Sequence, residues 1–168
     1  MSLMLITAVL TATVTPKLLS FRPNLELPST GQVVELSYYD VSPGTEFTEV
    51  IPSWNVEHGD NAAIEVSIRT STATGKSKWY SLGQWCLDTI RAPRRSLKGQ
   101  GDSVADVLTD TLRLKSAATS VDLRIRANKI QDGPTPRVKL LTLCFSNQVA
   151  TEATPMTTSS AWGRIVEV

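Results

Sequence analysis

A chain of 168 residues with 41% hydrophobic side chains can bury one substantial core, and its length favours a single domain. Seventeen basic against sixteen acidic side chains leave a net charge of +1, which excludes a broad field for attracting nucleic acid or an anionic membrane. Nine Gly and nine Pro, with plentiful Thr, Ser and Val, favour short strands joined by turns over long helices.

Met4 to Leu10 (MLITAVL) is apolar, but no basic segment precedes it and it falls well short of the roughly 20 residues of a membrane-spanning helix. It predicts neither a membrane span nor a signal peptide, and Leu5 to Val14 is a strand candidate. Val33 to Tyr39 alternates with Val34, Leu36 and Tyr38 inward, and Phe47 to Trp54 is a further strand candidate. Ala63 to Arg69 sets Ile64, Val66 and Ile68 against Glu65, Ser67 and Arg69. Trp79 to Trp85 follows, with its two tryptophans at an even spacing that predicts one strand face. Thr109 to Lys115 turns Leu112 and Leu114 inward. Val121 to Asn128 separates Val121, Leu123, Ile125 and Ala127 from Asp122, Arg124 and Arg126. Arg137 to Phe145 is apolar on both faces after Lys139, which predicts a strand covered on each side, with a terminal segment as one cover.

Turn-forming residues separate these runs at Ser42-Pro43-Gly44, His58-Gly59-Asp60, Thr74-Gly75-Lys76, Gly99-Gln100-Gly101-Asp102 and Asp132-Gly133-Pro134. Gln84 to Leu97 has room for one short helical turn, and no segment shows sustained helical periodicity. Residues 1–145 therefore read as one all-β domain, an antiparallel β-sandwich of about eight strands, with jelly-roll topology of the galactose-binding-domain type as the expected arrangement. Residues 146–168, a Thr/Ser/Ala-rich tract followed by Trp162-Gly163-Arg164-Ile165-Val166, read as a polar linker and tail leading toward a further domain.

The chemistry-bearing residues are few. His58 is the single histidine and lies in a turn, so a Cys86/His58/Asp60 constellation lacks an electropositive setting for the thiol. Cys86 and Cys144 fit no CxxC spacing and read as structural residues, free or joined in one disulfide. No G-x-S-x-G elbow is present, Gly99-Gln100-Gly101 lacks the surroundings of a phosphate loop, and Glu49, Glu57 and Glu65 alternate with apolar residues as a solvated strand face would. No catalytic residue, metal site or cofactor is expected. Two patches remain as binding candidates: the aromatics Trp54, Trp79, Tyr80 and Trp85, which have the rings to stack on sugars, and the basic run Arg91 to Lys98. Arg69, Arg124 and Arg126 are expected to share one sheet surface as a docking face.

The order FTEVIPSWNV (Phe47 to Val56, containing Trp54 and Asn55), AIEVSIR (Ala63 to Arg69) and KWYSLGQW (Lys78 to Trp85) is distinctive. Gln100-Gly101-Asp102, Thr109 to Leu112 and Pro136 to Leu141 follow it. This succession, from about Val33 to Phe145, resembles the N-terminal accessory region of bacterial bacteriocin-processing-type, papain-like cysteine peptidases. The resemblance implies a non-catalytic module that contacts a peptide substrate, a cell-envelope component or a C-terminal peptidase domain. It places Trp54, Asn55, Arg69, Trp79, Tyr80, Trp85, Arg124 and Arg126 as candidate contact residues. The alternatives are a polysaccharide-binding module using the tryptophans, and a self-associating or docking domain.

Overall fold

The computed structural model describes residues 16–88, 90–92 and 94–147. Eleven strands are found among them: β1 (Lys17–Phe21), β2 (Leu25–Glu26), β3 (Val33–Val41), β4 (Phe47–Glu57), β5 (Ala62–Thr72), β6 (Gly75–Lys76), β7 (Tyr80–Cys86), β8 (Ala105–Leu108), β9 (Thr111–Ala118), β10 (Ser120–Lys129) and β11 (Arg137–Ser146). All pairings are antiparallel. One sheet has the order β1-β11-β4-β9-β8, with β2 also on β11, and the other has the order β3-β10-β5-β6, with β7 also on β5.

The inward-facing set of each alternating strand builds the core between the sheets. Phe47, Val50, Leu112, Leu141, Leu143 and Phe145 come from the first sheet and Ile64, Val66, Ile68, Leu82, Leu123 and Ile125 from the second; all are buried. Each such side chain contributes about 1.5–3 kcal/mol on removal from water, which is why the alternation fixes the register. Phe47 and Phe145 meet edge to face at 4.8 Å between ring centres.

Seven of the expected strands are present, and the Leu5 to Val14 candidate lies outside the described residues. The strand count exceeds the expected eight because short pieces carry too few residues to show periodicity. β2 and β6 have two residues each, β8 has four, and β1 (KLLSF) lacks clean alternation. The expected strand from Thr109 begins later, at Thr111. Thr109 adopts φ 60 and forms, with Asp110, the two-residue turn of the β8–β9 hairpin, a conformation unusual for a β-branched residue. Among its described residues Gln84 to Leu97 contains one turn and no helix: Ala92 N–H donates to the Asp88 carbonyl, and the Asp88 carboxylate accepts from Ile90 N–H and Arg91 N–H. The terminal segments expected to cover β11 also lie outside the described residues.

Candidate functional site

Period-two geometry places the polar partners of the core residues on the outer surface of the five-stranded sheet. Across β3, β10, β5 and β7 they form rows. Asp122 stands beside Arg69, with Trp79 just ahead of β7. Ser37, Arg124, Ser67 and Ser81 make the second row, and Glu35, Arg126, Glu65 and Gln84 the third. The middle row is mostly serine, so it forms a trough between taller neighbours.

A bulge in β7 decides which aromatic ring joins this surface. Between the Ser67–Ser81 and Glu65–Gln84 pairs, β7 advances by one residue more than β5, which reverses side-chain parity beyond that point. Trp79 therefore lies on the outer surface, while Trp85, paired with buried Ile64, turns toward the core. The even spacing of the two tryptophans does not put them on one face. Trp85 meets Trp54 edge to face at 5.5 Å, and the Arg94 guanidinium covers its ring at 3.5 Å.

Arg69 and Arg124 both stack on Trp79, at 4.8 and 4.5 Å from the ring centre. Their charges are treated differently. Arg69 Nε donates to Asp122 Oδ2 at 2.6 Å, whereas Arg124 has no carboxylate partner among the described residues and its buried Nε–H has no acceptor. The Asp122 carboxylate is fully buried, and it also accepts from Lys76 Nζ and from the N–H of Asp40, which adopts φ 52 in a bulge of β3. Burial alone would push this carboxyl up. The Asp40 N–H, Lys76 and Arg69 together outweigh that effect and hold it below the usual carboxylate range.

Loop 94–100 forms the far wall of the surface. Gln84 N–H donates to Arg95 O at 2.8 Å and Arg95 N–H donates back to Gln84 O at 3.0 Å. The Gln100 side chain accepts from Ser81 N–H and donates to the carbonyls of Ser81 and Leu97. A cleft of about 380 Å³ results, lined by Glu65, Ser81, Gln84, Arg95, Ser96 and Leu97. A second cavity of about 150 Å³ shares Glu65 and Gln84 and reaches Arg126 and Asn128. Arg126 faces Glu35 at 3.8 Å.

The candidate residues thus separate into groups. Arg69, Trp79, Arg124 and Arg126 share the outer surface. Trp54 and Trp85 pack together between the sheets, and Asn55 is exposed on the outer side of the other sheet. Tyr80 is fully buried and donates from its hydroxyl to Asp102, so it cannot meet a ligand at the surface. Burial first, then Asp102, pushes the Tyr80 hydroxyl well up, while Lys78, the Val104 and Ala105 N–H groups and Tyr80 hold Asp102 well down against its own burial. Sequence reasoning missed Asp122, Gln84 and Gln100, because a polar residue in an alternating strand or Gly-rich turn looks the same whether it meets water or a partner.

Neither cysteine is bonded. Cys86 lies opposite Ala63 on the outer side of the five-stranded sheet, while Cys144 lies opposite Leu18 and Ile51 on the outer side of the other, so no disulfide joins them. Burial pushes the Cys86 thiol up, and its S–H donates to the Asp88 carbonyl, which holds the proton in place; both are the wrong direction for a nucleophile. His58 sits exposed in a left-handed turn, and no hydrogen bond joins it to either thiol. In a thiol titration with an aromatic disulfide reagent, Cys144 is expected to react first and Cys86 only after denaturation; simultaneous rapid reaction of both would contradict the packing around Ala63, Cys86 and Ala92.

Among the described residues no group of His, Cys, Asp and Glu could hold a metal ion, and no helix is long and apolar enough to cross a membrane. No curated protein and no solved structure matches the chain. The family model for the peptidase C39 N-terminal domain matches residues 34–146.

Proposed function

Because this chain belongs to the peptidase C39 N-terminal domain family, which is a peptidase-associated region and not the catalytic domain, we propose that it acts as a non-catalytic accessory module that contacts polypeptide. The contacting surface in this reading is the outer face of the five-stranded sheet. The observation that carries it is the pair of arginines stacked on Trp79, one neutralised by buried Asp122 and the other left without a carboxylate. Held in this way, a planar guanidinium loses little freedom when it meets a carboxylate or a backbone carbonyl.

Polypeptide is favoured over polysaccharide because stacking on sugar needs an open aromatic face. Arginines cover Trp79 and Trp85, and Trp54 packs against Trp85. We also read the strand order as the jelly-roll arrangement. The support is the alternation of β3, β4 and β5, and again of β7, β9, β10 and β11, between the two sheets.

Selection of a dodecapeptide phage library on the full chain tests the accessory reading. Captured peptides should lose about tenfold in affinity on the Arg124→Ala protein, as expected for an interface arginine, and nothing on Asn55→Ala. Failure to enrich any peptide, or peptides indifferent to Arg124, would remove the proposal.

A further inference from the structure

Charge on the outer surface of the five-stranded sheet is unevenly matched. Arg69 and Lys76 are answered by Asp122 and Asp40. The rest of the surface brings Arg95, Arg124 and Arg126 against two carboxylates, Glu35 and Glu65, while Arg94 lies over the Trp85 ring and Lys98 lines a separate cavity with Asp106. Glu35 is already turned to Arg126. Arg94, Arg95, Lys98 and Arg124 have no ion pair among the described residues.

We infer that the cleft between β5, β7 and loop 94–100 binds an acidic peptide segment in extended form, with Arg95 and Arg124 as its two cationic anchors. The inference rests on the accessory reading above and adds to it the chemistry of the peptide.

Three features make the cleft a built site. Its outer wall is fixed, because Arg95 exchanges two backbone hydrogen bonds with Gln84 and Gln100 clamps both backbone groups of Ser81. The floor is low, since Ser67 and Ser81 are buried and small. One cation is left over in the same row: Arg124, held against Trp79, with no carboxylate partner among the described residues and with an Nε–H that has no acceptor. The Nε–H is closed to a ligand, but the half-buried guanidinium has no ion pair among the described residues, and its outer N–H groups would donate charge-assisted hydrogen bonds to a ligand carboxylate. Arg124 on β10 and Arg95 beside β7 bracket β5 and β7, so an extended chain laid along the serine trough meets a cation at each end.

Glu65 lies on the floor of both cavities, accepting from Ser81 Oγ at 3.4 Å. It disfavours carboxylates placed directly above it and favours a peptide whose backbone N–H crosses that point, with acidic side chains to either side. This distinguishes a peptide from a bare polyanion.

Fluorescein-labelled hexaglutamate, titrated into the full chain and read by polarisation, tests the inference. Binding should weaken about tenfold with Arg124→Ala and again with Arg95→Ala, and should fall as salt is raised. Lys139→Ala, on the other sheet, should leave it unchanged. Arg95 is on an exposed loop, so its variant keeps the test decisive if Arg124→Ala folds poorly. Equal or tighter binding of hexalysine, indifference to both arginines, or equally tight binding of oligogalacturonate would overturn it. Phage-selected peptides that need Arg124 but are not acidic would remove this inference and leave the accessory reading standing.

Discussion

Replacing Asp122 with Ala is expected to destabilise the domain by about 3 kcal/mol, the low end for breaking a buried ion pair because Arg69 and Lys76 keep some contact with water. For a chain of this size the melting temperature should fall by about 6–12 °C. Two cations and the Asp40 N–H all end on this one carboxylate; when it is lost Lys76 keeps the exposed Asp40 carboxylate, but Arg69 has no other carboxylate among the described residues. Asp122→Asn, which keeps the volume but not the charge, separates electrostatics from packing and carries a pH signature. A carboxyl held below its unfolded value contributes stability at pH above about 3.9 and loses it as pH falls through the folded value. The stability gap between the wild type and Asp122→Asn should therefore close on acidification. Asp102 titrates in the same direction but is common to both proteins and cancels. A gap that stayed constant from neutral to strongly acidic pH would show that the Asp122 charge is not the stabilising feature.

Gly83→Ala should be nearly as damaging, by about 2–3 kcal/mol, and should act on the loop wall of the cleft. Gly83 has φ +100, which strains any side-chain-bearing residue, and a Cβ there would lie 2.7 Å from the Arg95 carbonyl oxygen. The acceptor is backbone and is already tied to Gln84, so loop 94–100 must move away. Gly31→Ala supplies the comparison: its φ is +84 but nothing lies within 4 Å of its Cβ, so strain acts alone and the cost should be about 1 kcal/mol. Amide hydrogen exchange at Gln84 and Arg95 should accelerate in Gly83→Ala and stay at the wild-type rate in Gly31→Ala. Equal protection in all three proteins would mean that the loop does not depend on the close approach at Gly83.

Much of the sandwich was legible from alternation. Ile64, Val66 and Ile68, and Val121, Leu123 and Ile125, face the core as the period of two requires, and Cβ parity carries that information locally. Parity is lost where a strand gains a residue, and nothing in Ser81-Leu82-Gly83-Gln84 marks the bulge except a glycine. Strict alternation therefore assigns Trp85 to the face of Trp79, where the bulge does not leave it. The gathering of Arg69 and Arg124 on one surface could be read from their strands, whereas the burial of Asp122 could not. Its closure depends on Lys76 and the Asp40 bulge, which arrive from elsewhere in the chain. The same holds for Tyr80, whose phenol finds Asp102 across a loop.

The outward-facing sulfurs of Cys86 and Cys144 lie on opposite sides of the molecule, and the more accessible of them is on the sheet remote from the arginines. A maleimide-coated sensor surface would couple preferentially through Cys144. Every tethered molecule would then present the Trp79 side to the flowing sample, without an engineered attachment point.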